Sequence, residues 1–198
     1  RGLAGYGTAG GMIYLDYQAT TPLAPEAREA MLRWLDGPGG DGFGNPHSAH
    51  RMGRMAKAAV ELARDQVAAL MPPGGRVVFT SGATEAINLA IRGTGGPGNV
   101  AVSAIEHAAV LDTAPGAHRL AVDGEGVCDP EQPLPAGTRL VAVMQVNNEI
   151  GTIQPVEQIA ARTRAHGTWL LVDAVQGAGK LPAPEGADLI AVSAHKLH

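Results

Sequence analysis

The chain has 198 residues, of which 45% are hydrophobic and 17% charged, and its formal net charge is −4. This length and composition predict one globular domain with a hydrophobic core and exclude a disordered protein. The negative charge and the lack of any Lys/Arg cluster exclude a nucleic-acid-binding protein.

Three features of the sequence bear on the cellular location of the protein. Residues 1–11 contain neither a signal-peptide core nor an amphipathic Arg/Ser pattern, and Met12 follows them. We therefore expect residues 1–11 to be a flexible leader or an artefact and residues 12–198 to be the domain. The single cysteine, Cys128, excludes an internal disulfide and fits a reducing compartment. No apolar run approaches the ~18 residues of a membrane span, so we predict a cytoplasmic protein without a membrane partner.

Strand-like and helix-like segments alternate along the chain. The predicted strands are residues 76–80, 99–103, 118–122, 139–146, 168–173 and 187–193. The predicted helices are residues 25–35, 48–70, 84–92, 107–114 and 156–166. Alternating units of this kind call for a mainly parallel, twisted sheet with helices on both faces. The predicted fold class is therefore α/β.

The first predicted strand, residues 76–80, runs into a segment of small residues that opens an apolar helix. Small residues at such a junction let an anion approach the free amides and the positive dipole of the helix N-terminus. We therefore predict that Gly82, Ala83 and Thr84 bind a phosphate. The alternative is a plain helix start with Ser81 or Thr84 as the N-cap.

Two other motifs are rejected as ligand sites. Gly-x-Gly-x-x-Gly occurs at residues 5–10 and 93–98, but neither copy follows a strand and opens a helix, as a dinucleotide site requires. His47 and His50 have a spacing compatible with a metal, yet no third ligand is apparent nearby. We interpret them as a helix entry and predict no metal site.

Polar residues also follow two of the predicted strands. His107 comes after strand 99–103, where a neutral imidazole can stack on a flat aromatic cofactor and transfer a proton. The alternative is a capping or surface histidine. Asn147 and Asn148 follow strand 139–146, where paired amides either orient polar atoms of a ligand or form a turn.

The last thirty residues contain the most informative pair, Asp173 and Lys196, because each follows a predicted strand where open α/β sheets bind ligands. In pyridoxal phosphate enzymes a lysine amine forms a Schiff base with the cofactor, and a carboxylate keeps the pyridine nitrogen protonated so that the ring is an electron sink. The alternatives are a helix N-cap for the acid and a solvated loop charge for the lysine. Ser193 and His195, crowded beside Lys196, favour the cofactor site.

Seven short motifs extend this interpretation to most of the chain. In order they are YLDYQATTP (14–22), FGNP (43–46), FTSGATE (79–85), EH (106–107), VNNEIG (146–151), VDAVQ (172–176) and SAHK (193–196). With these motifs the chain resembles the cysteine desulfurases of the iron-sulfur-cluster and nitrogen-fixation type. That family belongs to the class V aminotransferases, which are fold type I pyridoxal phosphate enzymes.

The resemblance implies a role for each matched residue. Lys196 would hold pyridoxal phosphate as the catalytic lysine, Asp173 would pair with the ring nitrogen, and Gln176 would bind the phenolic oxygen. His107 would stack on the ring and transfer protons, and Asn148 would lie near the phenolic oxygen and the substrate carboxylate. The implied phosphate ligands are Ala83, Thr84, Ser193 and His195.

The implied reaction converts L-cysteine to L-alanine in a homodimer and transfers the sulfur, as an enzyme persulfide, to an iron-sulfur scaffold or another sulfur acceptor. In this family the persulfide cysteine and the substrate-binding arginine lie downstream of the lysine, and Cys128 matches neither. We therefore expect residues 12–198 to be the large domain, incomplete at its C-terminus, with little or no activity alone. The alternatives are a selenocysteine lyase, a small-substrate aminotransferase, or a non-catalytic fragment that dimerises or docks a partner.

Overall fold

A computed structural model describes residues 13–40, 42–94 and 96–197. The predicted leader, residues 1–11, and the first glycine motif lie outside the described residues. The helices are α1 (Pro25–Leu32), α2 (Arg51–Ala68), α3 (Ala83–Gly93), α4 (Ala108–Leu111) and α5 (Val156–Ala165). The strands are β1 (Val100–Ser103), β2 (His118–Leu120), β3 (Leu140–Met144), β4 (Trp169–Asp173) and β5 (Leu189–Ala191). None of these helices is long and apolar enough to cross a membrane.

The strands form one parallel sheet in the order β2-β1-β3-β4-β5. The chain runs outward from β1 to β2, and then returns to the other side of β1 to form β3. At such a switch point the loops after the two neighbouring strands diverge, which opens a crevice at the carboxyl edge of the sheet. The topology therefore places a ligand crevice at the ends of β1 and β3.

The core has two layers, one on each face of the sheet, because successive side chains of a strand point to opposite faces. In β3, Leu140 and Ala142 belong to a cluster that includes residues of α3 and α4. The intervening Val141 and Val143 belong to a cluster with residues of α5. The predicted α/β fold, with a mainly parallel sheet and helices on both faces, is confirmed.

The predicted strand at residues 76–80 is wrong, because no strand is assigned there. A strand needs a neighbour that pairs with its backbone groups, and this segment pairs with no strand of the described chain. Val78 and Phe79 are instead 68% and 50% exposed. Arg64 of α2 covers part of the segment: its guanidinium lies 4.9 Å from the Phe79 ring centroid, and it donates a hydrogen bond to the Val77 carbonyl at 2.5 Å.

The start of α2 explains the two histidines. His50 is the N-cap, and its Nδ1 accepts a hydrogen bond from the Gly53 amide at 3.2 Å. The Asn45 side chain accepts from the His47 amide at 2.9 Å and shapes the turn before the helix. The predicted helix entry is confirmed, and α2 begins at Arg51 because the His50 side chain satisfies a free amide of its first turn.

Candidate active site

A cavity of about 340 Å³ lies at the carboxyl edge of the sheet. Its volume is within the range of small-molecule sites, which is about 300–1,000 Å³. Every residue predicted to bind the cofactor lines it: Gly82, Ala83, Thr84, His107, Asn148, Asp173, Gln176, Ser193, His195 and Lys196. The structure therefore brings the whole predicted set to one cavity.

One wall of the cavity is the start of α3, whose N-cap is Gly82 with no capping side chain. The predicted alternative, a cap from Ser81 or Thr84, does not form. The Ser81 amide instead donates to the Glu85 carboxylate at 2.6 Å, and this hydrogen bond lowers the pKa of Glu85. A Cβ placed on Gly82 would meet no atom within 4 Å. The first turn of α3 thus presents amides without a side-chain cap beside open space.

His107 is a helix cap, as one of the two interpretations predicted, and it also lines the cavity. It is the N-cap of α4, and its Nδ1 accepts a hydrogen bond from the Ala109 amide at 3.1 Å. The same side chain is exposed to the cavity that it lines. Because Nδ1 is an acceptor in this hydrogen bond, the proton of the neutral ring is on Nε2.

The two asparagines after β3 have different positions. The Asn147 side chain is buried, and its Oδ1 accepts from the Glu149 and Ile150 amides at 2.8 and 3.0 Å. Its Nδ2 donates to the Ile105 carbonyl at 2.9 Å, which links the loops after β1 and β3. Asn147 therefore forms the predicted turn, and Asn148 lines the cavity.

Asp173 ends β4 at the base of the cavity and is 7% exposed. Its Oδ1 accepts a hydrogen bond from the Val175 amide at 3.0 Å. Burial raises the pKa of Asp173, while the Val175 hydrogen bond, His107 and Lys196 lower it. Neighbouring positive charges therefore help to keep this buried carboxylate ionised.

Lys196 lies in a short 3-10 helix after β5, and Ser193 just before it is buried. A distant segment holds this turn in place: the Thr21 amide and hydroxyl both donate to the His195 carbonyl, at 3.1 and 2.8 Å. Lys180 donates to the Lys196 carbonyl at 3.1 Å. Two other segments of the chain, at Thr21 and at Lys180, thus donate hydrogen bonds to the backbone around the candidate catalytic lysine.

Sequence reasoning missed the contribution of the segment before α1. Gln18 accepts a hydrogen bond from the Gln176 side chain at 3.1 Å, and Thr20 lies 3.3 Å from the His195 ring. Ala19 between them lines the cavity. These contacts join residues about 160 or more positions apart, so no local pattern predicts them. The other lining residues missed are Ser81, Ile87, Ala109, Met144, Val146 and Val175.

The loop that carries Gln176 is packed against a buried glutamine. Gln145 is 7% exposed and donates from Nε2 to the Pro182 carbonyl at 2.9 Å. A Cβ placed on Gly177 would lie 2.1 Å from its Oε1 and 2.7 Å from its Cδ. Only a residue without a side chain allows this approach.

We expect Gly177→Ala to lower the free energy of unfolding by about 1–2 kcal/mol, because Gln145 must move and lose its hydrogen bond. Urea unfolding measures the effect, with Gly116→Ala, in open space, as the control. In a Gln145→Ala background the cost of Gly177→Ala should shrink. An equal cost in both backgrounds would contradict this contact as its source.

Residues 13–198 match the family model described as aminotransferase class V. Cysteine desulfurase IscS of Dictyoglomus turgidum is 38% identical, over 94% of this chain and 51% of its own length. Among solved structures, the NifS-like protein of Rickettsia africae superposes with a TM-score of 0.81 at 31% identity, covering 93% of this chain and 54% of that one. SspA, solved in complex with cysteine, superposes with a TM-score of 0.83 at 32% identity and covers 92% and 57%.

The chain thus spans about half the length of the curated relatives that it matches. The family match, by contrast, extends over all but its first residues. The protein belongs to the class V aminotransferase family, among relatives that are named cysteine desulfurases.

Proposed function

We propose that this chain is the pyridoxal phosphate-binding domain of a cysteine desulfurase. The observation that carries the proposal is the convergence of Asp173, Lys196 and His107 on one cavity with the first turn of α3. An acid, an amine, an imidazole and an anion-binding helix start are the groups that this cofactor requires. The boundaries proposed for this domain are residues 12–198.

The donor set fits the phosphate and the ring of the cofactor. The uncapped amides of the first turn of α3, together with Ser193 and His195, would bind the phosphate group. At the base of the cavity, burial disfavours the charged form of Asp173. A protonated ring nitrogen would supply the counter-charge that this carboxylate needs. Gln176 and Asn148 would orient the phenolic oxygen, and when bound the ring would act as the electron sink for the reaction.

The remaining groups hold and move protons. Lys196 is the amine that would attach the cofactor covalently, and the position of its backbone is set by hydrogen bonds from Thr21 and Lys180. His107 is fixed by its bond to the Ala109 amide, so that Nε2 is the atom available to exchange a proton with a ligand.

The proposed substrate is L-cysteine, which would leave as L-alanine after its sulfur passes to a protein thiol as a persulfide. The names of the curated relatives support this substrate. Cys128 is a poor candidate for the accepting thiol, because it is 1% exposed and burial raises its pKa to about 11. We therefore propose that the persulfide forms on a thiol outside residues 1–198 and that the chain alone has little activity. A homodimer, a cytoplasmic location and an iron-sulfur scaffold or other sulfur acceptor as partner belong to the same proposal.

Cofactor binding tests the proposal directly. We expect a saturable absorbance change when pyridoxal phosphate is added to the 198-residue chain. Pyridoxal, which lacks the phosphate, should bind at least about tenfold more weakly, because a charged hydrogen-bonded group is worth about 1.5–3 kcal/mol. Equal affinities, or no saturable binding of either compound, would contradict a phosphate site at the start of α3.

The choice of substrate needs a separate measurement. In the complete gene product we expect L-alanine and sulfide from L-cysteine in the presence of a reducing thiol. The shared cofactor site does not distinguish this reaction from a selenocysteine lyase or a small-substrate aminotransferase. Faster turnover of L-selenocysteine, or keto-acid formation in place of sulfide, would assign the protein to one of those alternatives.

A further inference from the structure

Glu106 is a buried carboxyl at the switch point between β1 and β3. It is 5% exposed, and its Oε1 accepts hydrogen bonds from the Ser103 hydroxyl and from the Met144 amide, the latter at 2.8 Å. Ser103 ends β1 and Met144 ends β3. One carboxyl oxygen therefore ties together the two strand ends that border the cavity, which Met144 also lines.

The other oxygen, Oε2, is buried without a hydrogen-bond partner among the described residues. An ionised carboxylate in this position would hold a charge that is neither solvated nor paired, which is far more costly than burying a neutral hydroxyl. The proton of a neutral Glu106 would reside on Oε2, because Oε1 accepts from two donors. The contacts therefore favour the neutral acid.

A second acid lies on the next strand. Asp173 is the register partner of Met144, and its charge raises the pKa of Glu106. Arg119 of β2 lowers that pKa. A charge on Glu106 would also raise the pKa of the Cys128 thiol. Desolvation is the largest effect, and the pKa of Glu106 is raised to about 8.

The two acids differ in the groups that stabilise their charged forms. His107 and Lys196 lower the pKa of Asp173, and both line the cavity with it. For Glu106, Arg119 is the one cation of the described chain that lowers the pKa, and the lowering by Arg119 and by the hydrogen bonds from Ser103 and Met144 is outweighed by burial. When two neighbouring acids compete for one proton, the acid without close cations keeps it.

We propose that Glu106 is a positioning residue of the active site: it acts as a neutral acid that joins the ends of β1 and β3 and leaves the negative charge of the Glu106–Asp173 pair on Asp173. This inference rests on the proposed function in so far as Asp173 serves the cofactor ring. A protonated ring nitrogen needs a negative charge beside it. Asp173 lines the cavity and can supply that charge, whereas Glu106 does not line the cavity.

Carbon-13 NMR of the side-chain carboxyls of the unliganded 198-residue chain tests the charge assignment without any variant. We expect the pKa of Glu106 measured from its signal to be near 8, far above the ordinary value of 4.5 for a glutamate. Asp173 should ionise at a lower pH than Glu106. A Glu106 midpoint below that of Asp173 would overturn the proposal.

Glu106→Gln distinguishes the two possible locations of the charge, because the amide keeps the Oε1 acceptor and removes the titration. If Glu106 is already neutral while Asp173 ionises, the variant leaves the Asp173 midpoint unchanged. If the charge resides on Glu106 instead, removing it lowers the Asp173 midpoint by about one unit or more. In the reverse experiment, Asp173→Asn should lower the Glu106 midpoint, since the Asp173 charge raises it.

The pH dependence of folding gives a third readout. An acid whose pKa is higher in the folded state stabilises the fold below its unfolded pKa, and this contribution is lost as the pH rises towards the folded value. Between about 4.5 and about 8, the folding constant of the wild-type chain should fall by up to about tenfold per pH unit because of Glu106. Glu106→Gln should lack this contribution, and Glu157→Gln, an exposed change on α5, should retain it.

These outcomes separate the two proposals. If the chain binds no pyridoxal phosphate but Glu106 titrates near pH 8, the proposed function fails and the charge assignment stands. If the cofactor binds and the unfolding profiles of the wild-type chain and Glu106→Gln have the same pH slope, the charge assignment fails. Should Glu106→Gln not fold, the titration of the wild-type carboxyls still decides the question.

Discussion

Replacing Lys196 with alanine is expected to abolish covalent attachment of pyridoxal phosphate to the chain. The chain has three lysines, Lys57, Lys180 and Lys196, and of these only Lys196 lines the cavity. A lysine at the end of a strand beside a buried acid has both the position and the partner for attachment. Borohydride reduction of the cofactor-treated chain, followed by peptide mass spectrometry, should locate the reduced adduct on Lys196.

The other two lysines serve as controls for this result. Lys57→Ala changes an exposed residue of α2 and should leave the adduct in place. Lys180→Ala removes a hydrogen bond to the Lys196 carbonyl and should weaken attachment without moving it. Adduct spread equally over Lys57 and Lys180 would show nonspecific modification and contradict the assignment of Lys196.

Asp173→Asn is expected to have opposite effects on cofactor binding and on stability. It removes the charge proposed to face the ring nitrogen, and loss of one partner of a buried charge pair costs about 2 kcal/mol or more. This corresponds to a dissociation constant for pyridoxal phosphate that is about 30-fold higher. An absorbance titration measures it, with the exposed Asp65→Asn on α2 as the matched control.

The stability of the unliganded chain should move the other way. Burial raises the pKa of Asp173, so the folded chain is destabilised by ionising this carboxyl once the pH exceeds the unfolded value. Asp173→Asn should therefore raise the urea midpoint at pH 7 and have little effect at a pH where the aspartic acid is protonated in both states. A variant that weakens cofactor binding and also lowers stability at pH 7 would indicate a general loss of structure instead.

The sequence alone predicted all five strands of the sheet. Each strand lies within a predicted segment, and β1, β3, β4 and β5 were recognisable because buried parallel strands read as short apolar runs between turn residues. The segment at 76–80 has the same pattern and is not a strand. Hydrophobic pattern reports which residues favour burial, whereas a strand also requires a partner strand at hydrogen-bonding distance.

The sequence predicted the lining residues that come after the ends of strands. Residues such as His107, Asp173 and Lys196 come directly after apolar runs, and the carboxyl ends of parallel strands meet at one edge. Local motifs therefore sufficed to name residues that line one cavity.

Only the tertiary structure decided how those residues are held. The contacts of Gln18 with Gln176 and of Thr21 with His195 join distant parts of the chain. The close approach of Gly177 to Gln145 and the burial of Glu106 likewise depend on neighbours brought by folding. The sequence determined which chemical groups stand at the ends of the strands, because that follows from local pattern. Their support, their burial and hence their charge depend on packing between distant segments, which only the folded chain establishes.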